Sequence, residues 1–213
     1  MSDTPDIPQH RVIGSGEHSS LCHLLPRPLI MTGFLRDYLT RHFQESMIEE
    51  ASLRHLIWQN NPATPILIEA SHRWRPQTTE TRPAILIRRN KYGNQRVGIA
   101  DRMQGNPADH RGDPHFATYW IGSHTLFCIG GSGAQAELLG AEVQREFTEF
   151  AHTIQRSLGL MRFAVGEIDS VHLLREGPET FAVPVVLAYA YEQRWAIRQQ
   201  ARTLNVSFST SQL

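Results

Sequence analysis

An α+β fold, with helices packed on one face of a mainly antiparallel or mixed sheet, is what this sequence predicts, and three observations carry it. Leu139, Val143, Phe147, Phe150, Ile154 and Leu158 recur with helical period over six turns, the mark of an amphipathic helix resting on another layer. From Phe181 to Tyr191, the larger Phe181, Val183, Val185, Leu187, Tyr189 and Tyr191 strictly alternate with the smaller Ala182, Pro184, Val186, Ala188 and Ala190, which is the period of a strand. The order of elements is helix, helix, strands, long strand, long helix, strand, strand, without the regular alternation that builds a parallel sheet.

The 213 residues suffice for one unit with its own core, expected over residues 27–198. Residues 1–26, with Pro5, Pro8, Gly14, Gly16 and Pro26, read as an irregular N-terminal arm. From Pro28, the spacing of Leu29, Ile30, Phe34, Leu35, Tyr38, Leu39 and Phe43 predicts a helix, and Met47 to Trp58 a second helical piece ended by Asn60-Asn61-Pro62. Strands are expected at Pro65–Ala70 and Arg82–Arg89. Tyr92-Gly93-Asn94 signals a turn, from which Gln95–Ala100 returns as a hairpin partner. A loop over Met103–Pro114 leads to a strand over Phe116–Ile129, whose more apolar face is Ala117, Tyr119, Ile121, Thr125, Phe127 and Ile129.

The helix from Ala134 to Leu158 places Glu142, Arg145, Glu146 and Glu149 on its outer face, and Gly159 stops it. Strands then run over Met161–Leu173 and Phe181–Tyr191. On the second, helices can press close to the small-residue face, and Pro184 marks an edge or a bulge because it cannot donate to a ladder. Residues 199–213 turn polar and read as a C-terminal arm.

Composition restricts function without naming it. Lysine plus arginine equals aspartate plus glutamate at 21 each, so no bulk field draws the chain to nucleic acid or membrane. Cys22 and Cys128 lack the spacing of a disulfide framework or zinc site. No apolar run approaches the roughly 18 to 20 residues of a membrane span, and the start is too polar for a signal peptide; a soluble, intracellular protein is expected.

Four constellations carry candidate chemistry. Gly130-Gly131-Ser132-Gly133 between strand and helix can cradle a phosphate, but the Lys-Ser/Thr pair of a P-loop is missing and no dinucleotide fingerprint follows. It reads as a structural turn made by Gly130, Gly131 and Gly133, in which a Gly131→Val change is expected to abolish folding. Ser132 lacks the flanking glycines of a nucleophile elbow, having Gly130 before it but Ala134 after. Asp109, His110, Asp113 and His115 form the best metal-ligand cluster, with a solvated loop as its bland reading; no metal or cofactor is expected.

Residues 71–111 carry Arg73, Arg75, Arg82, Arg88, Arg89, Lys91, Arg96, Arg102 and Arg111 against Glu80, Asp101 and Asp109. With Trp74 and Tyr92 interleaved, this stretch could stack on nucleic acid. In a neutral chain it better fits an acidic partner surface: Arg82, Arg88, Arg89 and Arg96 of one subunit against Glu142, Glu146 and Glu149 of another.

From Pro28 to Trp195, the N-terminal helix, the Pro83-Ala84-Ile85-Leu86-Ile87 strand, the long strand, the long amphipathic helix and the last strand Val185–Glu192 together resemble the tail-terminator and tail-completion (head-to-tail joining, neck) proteins of long-tailed bacteriophages. The resemblance implies a homo-oligomeric ring, commonly a hexamer, in the virion at the head–tail joint, after a stage in the host cytoplasm. It implies tail tube protein and head connector or neck proteins as partners, and DNA passing through the lumen without sequence-specific binding. It brings no catalytic residues, cofactor or membrane contact. The alternative is a small enzyme or binding domain that holds an anionic ligand at Gly130–Gly133.

Overall fold

The computed structural model describes residues 10–14, 28–45, 48–73, 83–96, 115–174 and 180–199. Its strands are β1 (His10–Gly14), β2 (Leu67–Ala70), β3 (Ala84–Gln95), β4 (His115–Gly130), β5 (Arg162–Ile168), β6 (His172–Leu174) and β7 (Thr180–Gln199). Its α-helices are α1 (Pro28–Gln44), α2 (Gly133–Glu149) and α3 (Ala151–Ser157). The strands form one mixed sheet in the order β1-β7-β4-β3-β2, with β5 and β6 also on β7. Helices on one face of such a sheet make the α+β fold that the sequence predicts.

β7 is the spine. One side pairs antiparallel with β4 from Phe181 to Ala196. The other side takes β6 at Thr180–Ala182, β5 at Val185–Ala190 and β1 at Trp195–Gln199. Pro184 pairs with Phe127 on one side and on the other falls between β6 and β5, where the neighbouring strand is interrupted, so it lies inside the sheet and not at an edge. The Asp169 amide donates to the Pro184 carbonyl. Since a residue in an antiparallel ladder points N–H and C=O to the same side, the missing donor of Pro184 faces the gap between β6 and β5.

The helical layer follows from local sequence. Pro28 opens α1 with its φ already helical, and Met31, Leu35, Leu39 and Phe43 form a fully buried stripe at four-residue steps. Ser132 caps α2: its hydroxyl accepts from the Gln135 amide, while the Gln135 side chain reaches back to accept from the Gly131 amide. The long helix is broken at Phe150, where α2 ends and α3 begins. Gly159, at φ +62°, closes α3 in a Schellman turn, with Gly159 N–H on the Arg156 carbonyl and Leu160 N–H on that of Gln155.

Several expectations are corrected. The N-terminal arm contributes β1 to the sheet, and β7 runs through to Gln199 at the start of the expected C-terminal arm. The second helix reduces to a 3-10 turn at Ala51–Leu53. The Glu50 carboxylate accepts from the Ser52 amide, and Arg54 donates to the Ile48 and Glu49 carbonyls, local bonds that compete with a helix. Tyr92-Gly93-Asn94 is no turn: β3 continues through it against β4, after a bulge between Arg89 and Tyr92. Met161–Leu173 divides into β5 and β6.

The covered face also differs from expectation. α1 and α2 lie on Trp120, His124, Leu126 and Cys128 of β4, not on its more apolar alternate face, and on the large residues of β7, not the small ones. The small residues that allow close approach belong to the helix. A Cβ added at Gly140 of α2 would lie 2.9 Å from Val183 Cγ1. Within β4, Gly122 stands opposite Tyr189, whose ring fills the place of the missing side chain.

Candidate interaction surface

The acidic residues expected on the outside of the long helix are mostly inside. Tyr38 of α1 donates to Glu146 Oε1 at 2.8 Å, and Glu142 Oε1 lies 2.9 Å from His42 Nε2. Glu146 Oε2 is 3.2 Å from His42 Nδ1, within ion-pair range though without hydrogen-bond geometry. Arg145 donates to Glu142 at 2.7 Å. Glu142 and Glu146 are buried beneath α1, which overturns the acidic outer face. Of the three carboxylates only Glu149 stays exposed, and it bonds Arg145 at 3.0 Å. Burial and the Glu146 carboxylate both raise the Tyr38 hydroxyl pKa.

The glycine turn is internally satisfied. Besides the two capping bonds, the Ala136 amide donates to the Ser132 carbonyl. A Cβ at Gly130 would come within 2.8 Å of the Ala136 nitrogen, so this glycine is required by a close approach. At Gly131 the backbone is not left-handed and the nearest atom is Gln135 Oε1 at 3.8 Å, so neither the turn nor the space demands glycine there, against the loss of folding expected of Gly131→Val. Gly133 likewise has ordinary contact distances, to Val171 and Phe181.

What the helices leave bare is the opposite face of the sheet. Alternation puts Leu86, Arg88 and Asn90 of β3, Ile121, Ser123, Thr125, Phe127 and Ile129 of β4, and the small residues of β7 on it. A small cluster of Ala84, Leu86, Ile129 and Ala182 packs at one end, flanked by Leu67, Phe127 and Leu174. Ile121, at 46% exposure, stands in the open.

Beside that cluster is a depression of about 420 Å³. Thr125, Phe127, Ala182, Pro184 and Val186 supply its floor, with Arg88 on one side and Glu167, Asp169 and His172 on the other. Arg88 lies over the Phe127 ring, 4.7 Å from its centroid, a cation–π contact that leaves the guanidinium edge free to donate. His172 is 3.0 Å from Asp169 Oδ2, and this bond holds the Asp169 carboxyl below its ordinary range. Among the described residues, Arg88, Arg89, Lys91 and Glu167 form no ion pair.

Arg88 and Arg89 thus lie exposed on β3, and Arg96 just beyond it, while Arg82 lies outside the described residues. Asp109, His110 and Asp113 are also outside them, as are Trp74 and Cys22, and His115 opens β4. Among the described residues no group of three or more His, Cys, Asp or Glu could hold a metal ion. Glu167, Asp169 and His172 were not singled out from the sequence, where they sit in one expected strand. The charges gathered at its end were the available signal. No described helix is long and apolar enough to cross a membrane. No protein-family model matches the sequence, and no curated protein does either.

Proposed function

We propose that the chain is a structural subunit that binds copies of itself, forming a ring at the head–tail joint of a long-tailed phage, where it closes the tail tube and meets the connector or neck. The observation that supports this reading is the one-sided cover of the sheet. Three helices lie on one face, while the other runs across β3, β4, β7 and β5 with small, apolar and singly charged side chains and no described helix over it. A sheet buries an apolar face against another layer, and where its own chain supplies none, a neighbouring molecule can. The exposed cations of β3 and the acids at the end of β5 give such a neighbour an orientation.

Light scattering over a concentration series, with negative-stain imaging of the largest species, tests the proposal. A closed ring with a central opening is expected. A monomer at every concentration, or a dimer closed by a two-fold axis, overturns it.

A further inference from the structure

The sheet has two uncovered edges that run in opposite directions. β2 pairs with Ala84–Ile87 and the 3-10 turn after it, Ser71–Arg73, also touches β3, but from Arg88 onward the outer edge of β3 carries no strand among the described residues. At the other side, β5 pairs only with β7 among the described residues. Such edges present outward N–H and C=O groups, the template on which another strand adds.

Chain direction decides how they can meet. β4 is antiparallel to both β7 and β3, so β3 runs with β7, whereas β5 runs against it. A second copy set beside the first in the same orientation therefore brings its β5 alongside β3 antiparallel, with the helices of both copies on the same side. The uncovered part of β3 and the whole of β5 are each about 25 Å long at the rise of an extended strand.

Charge agrees with that direction. Arg88, Arg89 and Lys91 begin the uncovered part of β3. Glu167 lies near the end of β5 with Asp169 just beyond, and Arg162 stands at its start. Antiparallel pairing sets Arg88 beside Glu167 and Asp169 on the bare face, and Arg162 at the far end of β3, beside Gly93–Gln95 and before Arg96. Parallel pairing would set Arg162 against Arg88, a repulsive neighbour. Arg88 and Glu167 also share the bare face, so across the joint their side chains lie on the same side of the sheet. Ile168 and Met161, at 40% and 49% exposure, add apolar area at the β5 edge.

Resting on the self-association reading above, we propose that copies join head to tail by antiparallel pairing of β5 of one copy with the uncovered part of β3 of the next, Arg88 meeting Glu167 and Asp169 across the joint on the bare face, with Arg89 adding positive charge on the other face. Such a contact uses two different surfaces, so it repeats around a ring rather than closing a dimer.

The test is a charge swap read by light scattering. Arg88→Glu with Arg89→Glu, and separately Glu167→Arg with Asp169→Arg, should each reduce the wild-type oligomer to monomer mass at the same concentration, with unchanged circular dichroism. Mixing the two variants in equal amounts should restore the oligomer, because every joint then pairs opposite charges, and the variant carrying all four changes should assemble alone. If the wild type assembles and the reversal variants do too, or if neither the mixture nor the fourfold variant recovers, the edge assignment is wrong while the ring reading stands. A wild type that is monomeric throughout removes both.

Discussion

On the covered face, β4 and β7 contribute His124, Leu126, Cys128, Val183, Val185, Leu187 and Tyr189, none more than 3% exposed. On the bare face, Ser123, Phe127, Pro184, Val186 and Ala188 stay half-buried, while Thr125, Ile129 and Ala182 are buried by their neighbours on that face. The same strands thus carry two chemistries in alternation, and the difference lies in what each face must satisfy. Beneath the helices a polar group without a partner is costly, and His124 sits 2.9 Å from Thr32 while His42 lies between two carboxylates, although His124 Nδ1 and the Tyr189 hydroxyl form no hydrogen bond among the described residues. On the bare face a charge can remain without an ion pair because water serves it until a neighbour does. Substitutions on the first face should therefore cost stability, and those on the second association.

The largest effect should come from His42. Removing it as His42→Ala leaves Glu142 and Glu146 buried without their shared partner, and should cost about 3–5 kcal/mol in denaturant unfolding. Reversing Arg88 and Arg89 should move the same measurement by less than about 0.5 kcal/mol. Equal losses would erase the distinction between the faces.

Next comes Gly122→Ala, which drives a methyl group to 2.6 Å from the Tyr189 ring and should cost about 1–3 kcal/mol. In a Tyr189→Leu background the same change should cost less, and a double-mutant cycle without coupling would show that the glycine is not there for the ring. The Tyr189 hydroxyl pKa is pushed up to about 12 by burial.

His124 sharpens the comparison through pH. Burial pushes its pKa down to about 4, so the folded state keeps it neutral while the unfolded chain binds a proton below about 6.5. Its contribution is present above that value and is lost as pH falls towards 4, on the order of 3 kcal/mol across the window. A His124→Asn variant should show a shallower loss of stability between pH 6.5 and 4 than the wild type, and parallel curves would rule His124 out as a source.

The smallest contrast is within the glycine turn. Gly130→Ala should cost about 1–3 kcal/mol because its Cβ meets backbone, whereas Gly131→Ala should stay within about 0.5 kcal/mol. Thermal midpoints of the two variants compared side by side decide it.

Much of this was legible in the residues. Pro28, the four-residue steps of α1, the alternation of β7 and the stop at Gly159 all stand where the pattern puts them. The capping pair Ser132 and Gln135 was equally readable but was overshadowed by the glycines around it. The candidate surface was legible only in half. Arg88 and Arg89 are exposed as expected, but the acids assigned to meet them, Glu142 and Glu146, are held by Tyr38 and His42. Nothing near either glutamate in sequence announces those partners, which lie 108 and 100 residues away.

By itself the sequence determined the helix and strand periods, their caps and the α+β class, because each depends on side chains two to four residues apart. Only the tertiary structure decided which face of β4 and β7 the helices cover, that β3 runs on through Tyr92-Gly93-Asn94, and that Glu167 and Asp169 rather than Glu142 and Glu146 face outward. A period of two says that a strand has two faces without saying which is buried. That choice is made by residues distant in the chain, through the packing of whole helices.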